Sequence, residues 1–215
     1  MSSIDASIRA ALETHLCALS VATTGLRTDI TATSTGYHRS VGAFVDDGFM
    51  VGDTVQPNGF SDPRLAIILA VSDGVLVVDR GVTAEPAGAP VSLTATLPER
   101  RKFEGQPFVK PKDKPWLRAA LRPAGAPLVA WGTGGLLRHH GSFVIELFEP
   151  VDSGRGLVRI ERLAGALRSQ FKAGTGLDQG AVRVRITNAK RAGIQESLEA
   201  LSLVVSVEWA CEAAN

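Results

Sequence analysis

Hydrophobic and polar positions follow two rhythms along this chain, and the changes between them mark its parts. From Ser3 to Leu19 the apolar residues Ile4, Ile8, Ala11, Leu12, Leu16 and Leu19 recur at spacings of three and four. That period places them on one stripe of an amphipathic helix. Ser2 with Asp5 three residues on resembles a capping box, and Arg9 with Glu13 forms an i,i+4 surface pair. From Val21 to about Lys102 the helical period vanishes. Short β-type runs replace it at 29–34, 38–44, 54–56, 65–71, 75–78 and 91–96, separated by Gly, Asp, Asn and Pro clusters. Ser72-Asp73-Gly74 between two apolar runs predicts a tight hairpin, with glycine supplying a positive φ.

Beyond Lys102 a segment spaced by Pro107, Pro111 and Pro115 predicts an extended loop, because proline donates nothing to a sheet. Strand patterns follow at 116–121, 136–149, 181–187 and 201–209. In the second, Phe143, Ile145 and Leu147 alternate with Val144, Glu146 and Phe148, which predicts a central strand. A second helix is expected over 154–171, with Leu157, Ile160, Ala164, Leu167 and Phe171 on its apolar stripe and Arg155, Arg159, Arg162 and Arg168 on its other faces. The first helix has no helical partner within the β-rich block, whereas a four-strand sheet with one helix needs a second to cover its face. The expected fold is therefore α+β. A mostly antiparallel sheet of about four strands is flanked by two helices, over 1–20 plus 103–215. It is interrupted at 21–102 by an inserted small all-β, barrel-like domain.

Composition narrows the function classes. The chain has 215 residues, 45% hydrophobic and 21% charged, with formal net charge +1. These values exclude wholesale disorder and a global nucleic-acid footprint. No apolar run reaches the roughly 18 residues that a membrane-spanning helix needs. The start, with Ser2, Ser3 and Asp5, lacks a leader pattern, so a soluble, unprocessed protein is expected. Cys17 and Cys211 make no disulfide framework and no zinc pair, and are expected as buried free thiols of a reducing compartment. The near-zero charge is a sum of opposites, about −2 for the insertion and +3 for the remainder.

Candidate chemistry is sparse. His15 and His38 lack a second ligand at useful spacing, and the adjacent His139 and His140 point to opposite faces of one strand. Asp46 and Asp47 read as a turn, and the sequence through Asp53 lacks the twelve-residue calcium pattern. The glycines of 132–135 and 174–176 read as loop glycines rather than phosphate cradles. No catalytic, cofactor-binding or metal-binding constellation emerges. Lys110, Lys112 and Lys114 with Arg118 and Arg122 form the densest basic stretch, read as a solvated loop with one strand face or as a partner-binding patch.

With that element order in place, the core resembles the tail terminator proteins of long-tailed bacteriophages. The resembling stretches are 8–16 (IRAALETHL), 115–121 (PWLRAAL), 141–148 (GSFVIELF), Gly154-Arg155-Gly156 opening a helix that ends near Phe171, Val182-Arg183-Val184, and Val207-Glu208-Trp209. Within the insertion, 45–55 (VDDGFMVGDTV) followed by 67–71 and 75–78 looks like a small β module of phage structural proteins. The resemblance implies a virion protein without enzymatic activity. It would form a homo-oligomeric ring, commonly a hexamer, at the head-proximal end of the tail tube. That ring would stop tube polymerisation and join the head connector, with tail tube protein and head completion protein as partners and DNA only as passing cargo. Assembly is expected in the host cytoplasm. Lys110, Lys112, Lys114, Arg118 and His139 are the residues expected at subunit or partner contacts. Two alternatives stand beside this reading. One is another head–tail connector or a tail tube subunit. The other is a glycan- or host-binding module built on the insertion, with Trp116 and Trp131 as a stacking platform.

Overall fold

The computed structural model describes residues 3–98, 100–130, 136–151 and 156–214. They fall into two compact units. The first comprises Met1–Leu19, Arg100–Asp152 and Ile160–Asn215, and the second Ser20–Glu99 with Ser153–Arg159.

The first unit is built on a sheet of eight strands: β8 (Arg100–Phe103), β9 (Trp116–Gly125), β10 (Leu128–Ala130), β11 (Leu136–Pro150), β12 (Gly176–Gln179), β13 (Val182–Arg191), β14 (Gln195–Glu196) and β15 (Ala200–Ala214). Their order is β12-β13-β15-β11-β9-β8, with β10 on β11 and β14 on β15. All pairs are antiparallel except β8–β9. At the centre, β11 and β15 pair over fifteen consecutive positions, from Leu136 opposite Ala214 to Pro150 opposite Ala200. Strict alternation divides the two faces. Phe143, Ile145 and Leu147 on β11, and Leu203, Val205, Val207 and Trp209 on β15, are at most 2% exposed. Their neighbours Ser142, Val144, Glu146, Ser202, Val204 and Ser206 are half-buried.

The inner face is covered by α1 (Ser3–Cys17), which lies against β12 and β13, and by the part of α2 (Gly156–Gln170) that belongs to this unit. Ile8, Leu12 and Leu16 of α1 are fully buried, as are Ile160, Leu163, Ala164 and Leu167 of α2 and Phe171 just beyond it. Phe171 reaches Phe143 at 6.3 Å between ring centroids and receives the edge of His15 at 4.9 Å. His15 Nε2 also lies 3.1 Å from the Gln170 carbonyl, so this histidine is a packing residue between the helices. The β9–β11 register shifts between His140 and Gly141, opposite Pro123, where proline has no N–H for the ladder. Gly141 is required there, since a Cβ would stand 2.3 Å from the Arg122 carbonyl oxygen and 2.9 Å from the Trp209 ring.

The second unit holds β1 (Ser20–Thr23), β2 (Ile30–Thr33), β3 (Gly36–Arg39), β4 (Thr54–Asn58), β5 (Ala66–Val71), β6 (Val75–Val78) and β7 (Ser92–Thr96). They pair in the order β1-β7-β4-β5-β6-β3-β2, all antiparallel. Ala66 and Ile67 of β5 pair with β4, while Ile68 to Val71 turn to β6. The core gathers Ile30, Tyr37, Phe44, Val55, Ile68, Leu76 and Leu93. Beneath it, Asp62 accepts from Arg64 and Arg80 at 2.8–3.2 Å, and these two guanidinium groups hold its carboxyl well below the usual carboxylate range.

Several expectations are corrected. The fold is not a four-strand sheet flanked by two helices, because 47% of the described residues lie in strands and 15% in helices. The four additional strands of the first unit, β8, β10, β12 and β14, are two to four residues long and pair at the margins of the long ones. The insertion is a seven-strand path whose end strands β1 and β2 are not paired with each other among the described residues, although an isolated bridge joins Arg27, between them, to Val91 beside β7. The hairpin at Ser72–Gly74 forms through Ser72 N–H donating to the Val75 carbonyl, yet Gly74 does not adopt a positive φ. Leu157, expected on the helix stripe, is 54% exposed, while Arg159 is 1% exposed. The guanidinium of Arg159 is buried because the Asp53 carboxylate, equally buried within the second unit, meets it at 3.4 Å. Cys17 is exposed rather than buried, and both cysteines are free. The expected cap at Ser2, the glycines of 132–135, Trp131, and the Gly154-Arg155 start of the second helix lie outside the described residues.

Two measurements check this packing. Phe143→Ala removes a fully buried ring from the central strand and is expected to lower the unfolding free energy by about 3–5 kcal/mol in denaturant titration. The buried Tyr37 hydroxyl has no hydrogen-bond partner among the described residues, and burial, its largest influence, pushes its pKa up to about 12. Because the folded pKa is raised, its contribution is complete below the ordinary value near 10 and is lost as the pH rises toward 12. Tyr37→Phe is expected to change stability by less than about 1 kcal/mol at pH 7, and to resist alkaline unfolding better than the parent chain at pH 11.

Candidate partner interface

The basic stretch singled out in the sequence folds as the strap between β8 and β9. A parallel pair needs a crossover of this length, and the prolines at 107, 111 and 115 fix φ along it. The strap passes over the outer face of the sheet at one end. There Phe108 packs on Trp116 at 5.2 Å, and Trp116 stacks on its cross-strand partner Phe148 at 3.8 Å with the planes 2° apart. The Arg118 guanidinium lies over the Phe148 ring at 5.8 Å and pairs with Glu146.

Beside this aromatic stack is a cleft of about 550 Å³. Lys110, Pro111, Lys112, Lys114 and Trp116 line it from the strap, Pro150 and Val151 from the end of β11, and Leu198, Glu199 and Ala200 from the entry to β15. Lys110 Nζ donates to Glu199 Oε2 at 2.6 Å. That bond, with the charges of Lys110 and Lys112, holds the Glu199 carboxyl below its ordinary value. Three ammonium groups thus line the cleft against one carboxylate. Its apolar surface is unusually open: Leu198 is wholly exposed, and Val151 is 40% exposed. Val109, on the strap, is 88% exposed.

The structure separates the five expected contact residues into three places. Lys110, Lys112 and Lys114 share the cleft. Arg118 lines a neighbouring hollow of about 250 Å³ with Lys102, Glu104, Arg122 and Glu146 on the outer sheet face. His139 lies near the other end of β11, eleven residues from Pro150 and so roughly 35 Å along the strand. It is half-buried opposite Cys211, a buried free thiol whose pKa burial pushes up. Elsewhere the outer face is a lattice of cross-strand ion pairs, Arg138 with Glu212 and Lys190 with Glu208. Leu198, Val151 and Glu199 were missed from sequence. The signal available was a leucine between polar residues in a short connection, where turn chemistry has no need of one. Among the described residues, no group of three or more His, Cys, Asp or Glu side chains could hold a metal ion.

A protein-family comparison places this geometry. The phage tail terminator protein family matches residues 92–209, more than half of the chain and reaching from β7 through Trp209 of β15. The chain belongs to the phage tail terminator protein family. It is accordingly a structural component of a phage tail, and the family is structural rather than enzymatic. The match takes in the strap, the cleft and the paired β11 and β15. A solved structure whose printed name states no function is 19% identical, with a TM-score of 0.43, covering 54% of this chain and 79% of its own. No curated protein matches the chain.

The cleft's two kinds of lining residue respond differently to truncation. Trp116→Ala removes the centre of the aromatic stack and is expected to cost about 3–5 kcal/mol of unfolding free energy. Leu198→Ala is expected to leave stability within about 0.5 kcal/mol in the same titration, because an exposed side chain contributes little to the fold.

Proposed function

We propose that this tail terminator assembles as a homo-oligomeric ring, a hexamer in the simplest case. The ring sits on the head-proximal end of the tail tube, stops its polymerisation and presents a surface to the head connector. The observation that carries this reading is the family match across the whole strap-and-sheet region. Physical reasoning supports the form of the assembly. A protein that ends a tube must differ on its two axial faces, and a head-to-tail contact between unlike patches closes into a ring when its rotation permits. The charge-paired outer sheet face needs no partner to remain in solution, whereas the cleft leaves apolar side chains open to water.

In this reading, residues 1–20 plus 103–215 are the terminator core and 21–102 an inserted module that projects from it or meets the adjoining ring. Lys110, Lys112, Lys114, Arg118 and His139 contribute to subunit and partner contacts. Tail tube protein lies on one side, head completion protein on the other, and DNA passes through the lumen as cargo. Assembly takes place in the host cytoplasm before the finished virion carries the ring at its head–tail junction.

The test is an in vitro assembly reaction with the tail tube protein of the same phage. Adding the chain is expected to arrest tube growth and leave a ring at one end of each tube in electron micrographs. Tubes of unchanged length with bare ends, or the chain polymerising into tubes itself, would overturn the proposal.

A further inference from the structure

The cleft in the first unit, with its open apolar side chains and lysines, has a counterpart in chemistry in the second unit of the same chain, where exposed valines stand beside an aspartate. Residues 39–49 form a knob that is fixed from beneath. Phe44 is fully buried and Phe49 2% exposed, with their rings 6.0 Å apart edge to face. Arg39, itself buried, lies 5.0 Å from the Phe44 ring, pairs with Asp47 and donates from Nε to the Val41 carbonyl at 2.8 Å. Backbone bonds complete the frame, with Phe44 N donating to the Asp73 carbonyl at 2.8 Å and Val41 N to Asp29 Oδ2 at 2.9 Å. What this frame holds outward is apolar and acidic. Val41 is 61% exposed and Val45 42%, and Asp46 is exposed with no ion pair among the described residues.

The cleft is the complement. It offers Leu198 and Val151 to apolar side chains, and Lys112 beside the pair that Lys110 makes with Glu199. Both surfaces are preorganised, the knob by its buried aromatics and the strap by its prolines, so joining them loses little conformational freedom. We propose that the knob of one copy, through Val41, Val45 and Asp46, seats in the Lys110–Lys114 cleft of the next. Two unlike patches make the contact heterologous, which is the kind of interface a ring requires. The inference rests on the ring reading and assigns that ring its subunit contact.

The test uses the full chain, with its mass in solution followed by sedimentation velocity at micromolar concentration. The parent chain is expected to sediment as a ring. Asp46→Lys and Lys112→Glu are each expected to weaken assembly at least tenfold, while leaving the melting temperature of the chain unchanged. Combining them restores the opposite charges and is expected to restore the ring. Leu198→Ala, which keeps every charge, is expected to weaken it as well. A parent chain that stays monomeric at every concentration removes the ring reading itself. A parent ring that Asp46→Lys and Lys112→Glu leave intact removes the knob-and-cleft contact alone. So does a double variant that fails to reassemble, or rings that survive Lys112→Glu but no longer join tail tubes, which would give the cleft to a tail partner.

Discussion

The first unit depends on one constraint: β11 and β15 pair over fifteen positions without a bulge. Side chains alternate with a period of two, so a slip of one residue would turn Phe143, Ile145, Val205 and Val207 out to solvent and Glu146 and Glu208 inward. Register is therefore held by the difference in burial between the two faces. The remaining strands attach to this pair, β9 to one side and β13 to the other. The helices then cover the face that the register makes apolar. The ladder ends at Pro150 opposite Ala200. Val151 on one side and Leu198 with Glu199 on the other flank that end, and the proline strap passes beside it. The cleft is thus a direct consequence of where the central ladder stops.

Local patterns carried the long elements. The stripe of Ile8, Leu12 and Leu16 and the alternation from Phe143 to Leu147 are strong because each segment buries one face only. Short strands escaped the same reasoning. Gln195-Glu196 pairs with β15 through backbone groups, and nothing in two polar side chains announces it. Arg100 to Phe103, rich in cations, joins as the parallel partner of β9. Burial of charge escaped it too. Arg159 sits inside because of Asp53, 106 residues earlier, and no window of sequence contains both. The basic stretch was legible as a cluster, but what makes it a cleft comes from Val151 and Leu198, brought in by the sheet.

Charge is sorted in the same way. Most basic groups on the outer sheet face are already met by a carboxylate on the next strand, as Arg118 is by Glu146 and Lys190 by Glu208. Exposed pairs of this kind contribute little to stability, typically below about 1 kcal/mol each, and serve mainly to keep a flat sheet hydrated. The strap differs, since Lys110, Lys112 and Lys114 stand beside open apolar surface at Val151 and Leu198. For a structural member of a phage tail, that combination suits a contact that forms during assembly rather than one needed for folding.

The central claim is that this chain closes one end of a tail tube as a single ring. Cryo-electron microscopy of intact virions tests it most directly. One ring of density fitting the paired β11–β15 sheet is predicted at the junction of tail and head, with no copies along the tube. Density repeating along the tube, or found only at the distal tip, would contradict it.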